Sequence, residues 1–311
     1  MRVRTIALPV VRRVALLVTL LAIVFVAVDL LPGNAARSAL GRDADPAEIA
    51  AKERELGLDR ALPARFLDWL AGVLTGDLGR TARGAPIGEL LAAKFPQTLL
   101  LGGLALLLTI ACSLALGCWW AMRPGSLGSR IMQPASTIAV AVPEFVGGTL
   151  LILVFSLATG WLPAVTITGR SGFPIAPEML VLPVLALAIP QIGWNARIVR
   201  SALLDVATAP HVESAVLEGL PAPKILTRHL LPFAAPTIVA GYATSVGMLF
   251  GGALVVETLF NYPGIGAVLA DSVADREATL VTAVVALTAL VIMSLLALAD
   301  LIRTWSTGGT R

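Results

Sequence analysis

Apolar residues in this chain gather into six long runs, separated by polar stretches of unequal length. The runs cover about 14–31, 98–122, 135–157, 180–198, 234–256 and 280–302. Each approaches the roughly 20 residues that an α-helix needs to cross about 30 Å of hydrocarbon, so six spans are predicted. Pro143 and Glu144 interrupt the third run, and Pro190, Gln191 and Asn195 lie inside the fourth. The polar stretch 33–96 carries helical signals of its own. Asp45-Pro46-Ala47-Glu48 reads as a capped helix start, with that helix ending near Gly57. Phe66, Leu67, Leu70 and Leu74 mark a second amphipathic helix, and Ile87, Leu90 and Leu91 a third. Asn261-Tyr262-Pro263-Gly264 reads as a turn.

Composition agrees with that pattern. The chain has 311 residues, of which 57% are hydrophobic and 14% charged, against about 25% charged in soluble domains. Mean hydropathy is +0.86. The fold class predicted is therefore an all-α membrane protein with six transmembrane helices and a small extracytoplasmic helical insertion between the first two. Residues 1–32 form the cytoplasmic N-terminus and first span, 33–96 the insertion, and 97–311 the remaining core. The net charge of +3 is small, and no Lys/Arg cluster is interleaved with aromatics, which gives nucleic acid no footing. Cys112 and Cys118 fall in one apolar run, six apart and off a common helix face, and read as two buried small residues. With only His211 and His229, an imidazole metal site is not expected.

Charge sets the orientation. Arg2, Arg4, Arg12 and Arg13 precede the first apolar run with no acid among them. That run exceeds the ~7–15 residues of a signal-peptide core, which favours an uncleaved first span over a cleaved leader. Asp29 falls near its far end. Nine basic residues balance nine acidic ones within 33–96, and a loop of that length crosses the membrane regardless of charge. The two short loops on the same side hold only Arg170 and Arg276. Both termini and the polar loop 200–233 are thus placed in the cytoplasm.

That loop holds the most informative stretch, 211–232: H-V-E-S-A-V-L-E-G-L-P-A-P-K-I-L-T-R-H-L-L-P. Pro210 suits the first turn of a helix and Gly219 the residue just past its end. A second short helix runs from about Pro223 to Leu231 and stops before Pro232. Val212, Ala215 and Val216 share a face, as do Ile225, Leu226 and Leu230. The result is a helix–glycine–helix elbow whose apolar face needs a partner. Glu213-Ser214-Ala215, Gly219 and His229-Leu230-Leu231-Pro232 resemble, with every spacing intact, the EAA loop of bacterial ABC-importer permeases. Ser214 replaces the usual Ala, and His229 puts a polar ring where an aliphatic side chain packs. Further stretches resemble the dipeptide/oligopeptide/nickel branch of that class: Leu30-Leu31-Pro32-Gly33, Glu55-Leu56-Gly57-Leu58-Asp59, Gly76-Asp77-Leu78-Gly79-Arg80-Thr81, the segment from Arg197 to Val206, and the segment from Val256 to Gly266. After Gly33 the branch has Asp-Pro where this chain has Asn34-Ala35, and its usual Asp-Pro-Arg near the C-terminus is missing.

The resemblance implies a type I ABC importer permease. Such a chain is no enzyme and carries no cofactor; partner subunits bind ATP and Mg. It forms half of a pathway with a second homologous permease subunit, beside two ATP-binding subunits and an extracytoplasmic substrate-binding lipoprotein, in the lipid bilayer. Its cargo is a di- or oligopeptide; the alternative is nickel or another small solute. The coupling residues carried over are Glu213, Ser214, Ala215, Gly219, His229, Leu231 and Pro232. Glu213 is either a charge-assisted contact to the ATPase or a solvated helix charge. No Walker A, H-E-x-x-H or G-x-S-x-G pattern occurs, so a membrane-embedded enzyme lacks its residues, and the elbow argues against a stand-alone channel or secondary transporter. Polar groups inside spans are the pathway candidates: Glu144, which otherwise lies near the interface, and Gln191 and Asn195, which otherwise make an interhelical hydrogen bond.

Overall fold

A computed structural model describes residues 2–33, 35–41, 44–170 and 172–308, with side chains described between 11 and 297. Among the described residues the chain is helical, with no strand beyond two isolated bridges. Among the described residues, five helices are long and apolar enough to cross a membrane, and a sixth span is made if one bent helix pair counts as a single crossing.

The chain divides into two compact units. The first comprises residues 1–96 and 264–291. It starts with α1 (Arg2–Asp29). Then come the short helices of the insertion: α2 (Ala35–Leu40), α3 (Pro46–Glu55) and α4 (Leu62–Thr75). The predicted cap forms: Asp45 accepts from the Ala47 N–H, and Glu48 reaches back to the Asp45 N–H. On α4 the inward face differs from the predicted one. Phe66, Trp69, Leu70 and Val73 pack inward, with Leu21 of α1 and Ile87 and Leu91 in the same cluster, while Leu67 and Leu74 face outward. Trp69, the largest apolar side chain of α4, sets the rotation of the helix. α12 (Ile265–Ala274), not predicted, and the first half of α13 (Ala278–Gly308) complete this unit.

The second unit comprises residues 97–263 and 292–311. The third predicted helix of the insertion is not separate: Ile87 opens α5 (Ile87–Met122), which continues through Pro96. The proline costs one helical hydrogen bond, but residues on either side of it belong to apolar cores, Ile87 and Leu91 to one and Leu101 and Ala105 to another. The third apolar run is a broken pair. α6 (Leu127–Ala141) meets α7 (Glu144–Leu151, extended by a π-helical turn, Ile152–Ala158) at a bend of 104°. The break falls at Val142-Pro143, where Pro143 biases its predecessor to extended geometry; Val142 has ψ 118°.

α8 (Glu178–Ala207) is the most buried of the apolar helices and packs against α6, α7 and α11 (Leu231–Leu259). Small residues permit the close approach. A Cβ on Gly193 of α8 would sit 3.0 Å from the Ala139 Cβ and the Ser136 carbonyl of α6. Between α8 and α11 lies the elbow: α9 (Pro210–Leu217) and α10 (Ala222–Ile225). The second elbow helix does not stop before Pro232. A π-helical turn, Leu226–Leu230, closes with the Leu231 N–H on the Leu226 carbonyl, and α11 begins at once. Pro232 then falls in the first turn of α11, where no N–H is needed.

Candidate functional site

The elbow is anchored on one side and bare on the other. α9 ends in a Schellman arrangement: the Leu220 N–H donates to the Ala215 carbonyl and the Gly219 N–H to the Val216 carbonyl, with Gly219 at φ 73°. Val212 and Ala215 are buried. Val212 sits in a cluster with Val199, Ala202 and Leu203 of α8, Leu230, and Ala234 and Ile238 of α11. Val216, placed on that same face by the sequence, points outward instead. The outward stripe is Glu213, Val216 and Leu217, related by one helical turn, with Val216 57% and Leu217 82% exposed. Glu213 lies in the first turn of α9, where the helix dipole favours a carboxylate. The Ser214 hydroxyl donates to the Pro210 carbonyl at 3.1 Å, within the helix.

His229 is accommodated by the other histidine. Its ring stacks 6.5 Å from that of His211, which lies 4.3 Å from Phe233. His211 Nε2 is 3.1 Å from the His229 carbonyl. A carbonyl only accepts, so Nε2 carries the proton and ties α9 to the π-helical turn that precedes α11. Leu231 is half-buried and Pro232 exposed. All seven coupling residues carried over from the motif therefore fall within the elbow or its junction with α11.

The pathway candidates do not gather in one place. Glu144 is half-buried at the first turn of α7, just past the bend, with Oε1 3.4 Å from where a Cβ on Gly252 of α11 would stand. Gln191 and Asn195 are buried on α8. Asn195 Nδ2 donates to the Gln191 carbonyl at 2.8 Å and to Ser245 Oγ of α11 at 2.6 Å. The bond to Ser245 is the interhelical contact, and it is made by Asn195; Gln191 contributes only its backbone carbonyl, within α8.

Two arrangements were not anticipated. Glu257, read as lying past the fifth span, is inside α11 and fully buried. Thr98 Oγ1 donates to Glu257 Oε1 at 2.6 Å, Tyr262 donates to the Gln97 carbonyl at 2.9 Å, and Gln97 Nε2 donates to the Gly172 carbonyl at 2.9 Å. Burial pushes the Tyr262 phenol well above its ordinary range, and the Glu257 charge adds to the rise. The sequence signal was the polar pair Gln97-Thr98 opening an apolar run. The second arrangement, in the first unit, is a charged cleft of about 200 Å³. Asp29 pairs there with Arg65 at 2.8 Å, Arg60 with Asp68 at 2.7 Å, and Arg276 donates to the Pro32 carbonyl. Glu277 accepts from the Ala82 N–H, and desolvation holds its carboxyl above the usual range, with Asp275 raising and Arg83 opposing.

The elbow, with its buried base and exposed stripe, sits in a chain that matches known proteins over nearly its full length. The family described as "Binding-protein-dependent transport system inner membrane component" matches residues 113–311, and its N-terminal counterpart matches residues 3–99. The chain belongs to this permease family. A probable peptide ABC transporter permease protein, y4tP, from Sinorhizobium fredii is 32% identical over 267 residues, 85% of either chain. The glutathione transport system permease protein GsiC from Pectobacterium atrosepticum is 32% identical over 287 residues, 92% of either chain. Among solved structures, the MetNI methionine ABC transporter in an inward-facing conformation matches with a TM-score of 0.59 at 18% identity, covering 70% of this permease and 96% of that chain. An amino acid ABC transporter crystallised with histidines matches at a TM-score of 0.54 and 18% identity, covering 69% and 93%. The fold is thus that of the ABC importer permeases. The protein is a multi-pass membrane subunit of an ABC importer, a transport component and not an enzyme.

Proposed function

We propose that this permease takes up di- or oligopeptides and is driven through its elbow. The observation that carries the reading is the exposed stripe Glu213–Val216–Leu217, held on a base buried against α8 and α11. An exposed Leu beside a carboxylate on a short, tightly terminated helix suits docking into a groove on an ATPase subunit, where the Leu is buried and Glu213 meets a cation. Gly219 fixes the exit from α9, and Leu231-Pro232 starts α11 directly from the elbow. A displacement of the elbow is then passed to both packed helices as a shift between two states.

The complex contains a second homologous permease, two ATP-binding subunits that hold ATP and Mg²⁺, and an extracytoplasmic binding lipoprotein. Both termini and the elbow are cytoplasmic, and 33–96 lies outside. Glu144, at the bend between α6 and α7, is the pathway carboxylate and suits a peptide amino terminus. Asn195 ties α8 to α11 through Ser245. The peptide and glutathione names of the relatives support the cargo. The test is uptake by the complete importer in proteoliposomes, with labelled dipeptide, glutathione and nickel ions offered separately. Saturable, ATP-dependent uptake of a peptide supports the reading, and uptake of nickel alone overturns it.

A further inference from the structure

The elbow-side end of the second unit carries four arginines, Arg123, Arg130, Arg197 and Arg200, and among the described residues none of them is in an ion pair with a carboxylate. Arg200 lies over the Trp120 ring at 4.7 Å, Trp120 Nε1 donates to Ser129 Oγ at 2.8 Å, and Arg197 lies over Trp194 at 5.7 Å. Arg200 Nε is shielded from solvent yet has no hydrogen-bond partner. Two apolar cavities of about 420 and 190 Å³ lie between α6 and α8 and share Ala135, Ala139 and Ile189, making one continuous groove. Its lining includes Leu116 of α5, Met132 of α6 and Ala196 of α8. One helical turn further on, those three helices place Trp120, Ser129 and Arg200. Trp120 is bonded to Ser129 and capped by Arg200, so a cationic and aromatic rim closes the end of an apolar channel. Leu127, Ile131 and Ile138 of α6 are all exposed, and Ile138 lines the larger cavity.

We propose that this groove binds an anionic phospholipid, its phosphodiester held by Arg200 and Arg197, and an acyl chain laid between α6 and α8. Charge complementarity selects the occupant. A zwitterionic headgroup brings its own cation with the phosphate and adds no net counter-charge, whereas an anionic headgroup offers its phosphodiester to Arg197 and Arg200 with no competing cation. The Ser129 hydroxyl accepts from Trp120 Nε1 and keeps its own proton to donate to the same phosphate.

The test is native mass spectrometry of the assembled importer in detergent, offered dioleoylphosphatidylglycerol, dioleoylphosphatidylcholine or inorganic phosphate. Retention of phosphatidylglycerol over phosphatidylcholine is expected. It should fall by about tenfold or more in R197Q/R200Q, and also in Ala135→Phe, which fills the groove and leaves every cation in place. Three results overturn the proposal: equal retention of both lipids by wild type; unchanged phosphatidylglycerol binding in both variants; or displacement of the lipid by inorganic phosphate with Ala135→Phe silent, which reduces the site to an adventitious anion site. Copper-phenanthroline-catalysed disulfide formation between Ala135→Cys and a cysteine introduced on the second permease, with no lipid retained, assigns the groove to the subunit interface and overturns it as well.

Discussion

At the scale of single residues, the buried carboxylate of Glu257 is the most exacting feature of the molecule. A fully buried acid needs its oxygens satisfied, and the Thr98 hydroxyl is one of its donors. Thr98→Val keeps the shape and removes that donor. It is predicted to lower stability by about 1–3 kcal/mol, read as a drop in unfolding temperature in detergent, while Thr98→Ser retains most of the wild-type value. A Thr98→Val protein as stable as wild type would show that Glu257 is satisfied without this bond. Glu277 gives a pH signature. Its carboxyl is raised in the folded state, chiefly by burial, so its stabilising contribution is complete below the ordinary carboxylate range and is lost as pH rises through the raised value. Between about pH 4 and pH 8, wild type should lose more stability than Glu277→Gln, whose side chain stays neutral and still accepts from the Ala82 N–H. Parallel profiles for the two proteins would contradict the assignment.

At the scale of elements, the elbow depends on one backbone conformation. Gly219 has φ 73°, and an added Cβ would meet nothing within 4 Å, so the cost of substitution is purely conformational. Gly219→Val is predicted to weaken the turn by about 1–2 kcal/mol and to expose the bonds after Lys224 and Arg228 to trypsin faster than in wild type. Gly219→Asn, which tolerates this conformation better, should lie between them; equal cleavage of all three would remove the need for glycine. The elbow was legible in the sequence because Pro210 and Gly219 act through local chemistry. The break in the third run was legible for the same reason at Pro143. What could not be read was longer in range. Spacing alone grouped Val216 with Val212 and Ala215, because three apolar residues within one turn do not say which edge of the stripe meets a neighbour. Pro232 looked like a stop because a π-helical turn that resets the register leaves no mark in composition. Asp29 read as an interface residue because its partner Arg65 lies 36 residues away.

At the scale of the whole molecule, α8 and α11 are the frame of the second unit. The elbow hangs between them, Asn195 and Ser245 bond across them, and Glu257 ends α11 in a buried network with the start of the second unit. A force applied at α9 thus reaches both helices through packed side chains, and in the function proposed above this is the route by which ATP bound by partner subunits acts on the permease. Leu217 is the most direct probe of that coupling. It is 82% exposed and lies outside the buried clusters, so Leu217→Asp leaves this chain's own core intact. The decisive measurement is peptide-stimulated ATP hydrolysis by the complete importer, comparing wild type with Leu217→Asp and Glu213→Ala. Loss of stimulation in Leu217→Asp and a partial loss in Glu213→Ala, with unfolding temperatures unchanged, is the predicted result. Full stimulation in both would show that the exposed stripe of α9 does not couple this permease to ATP.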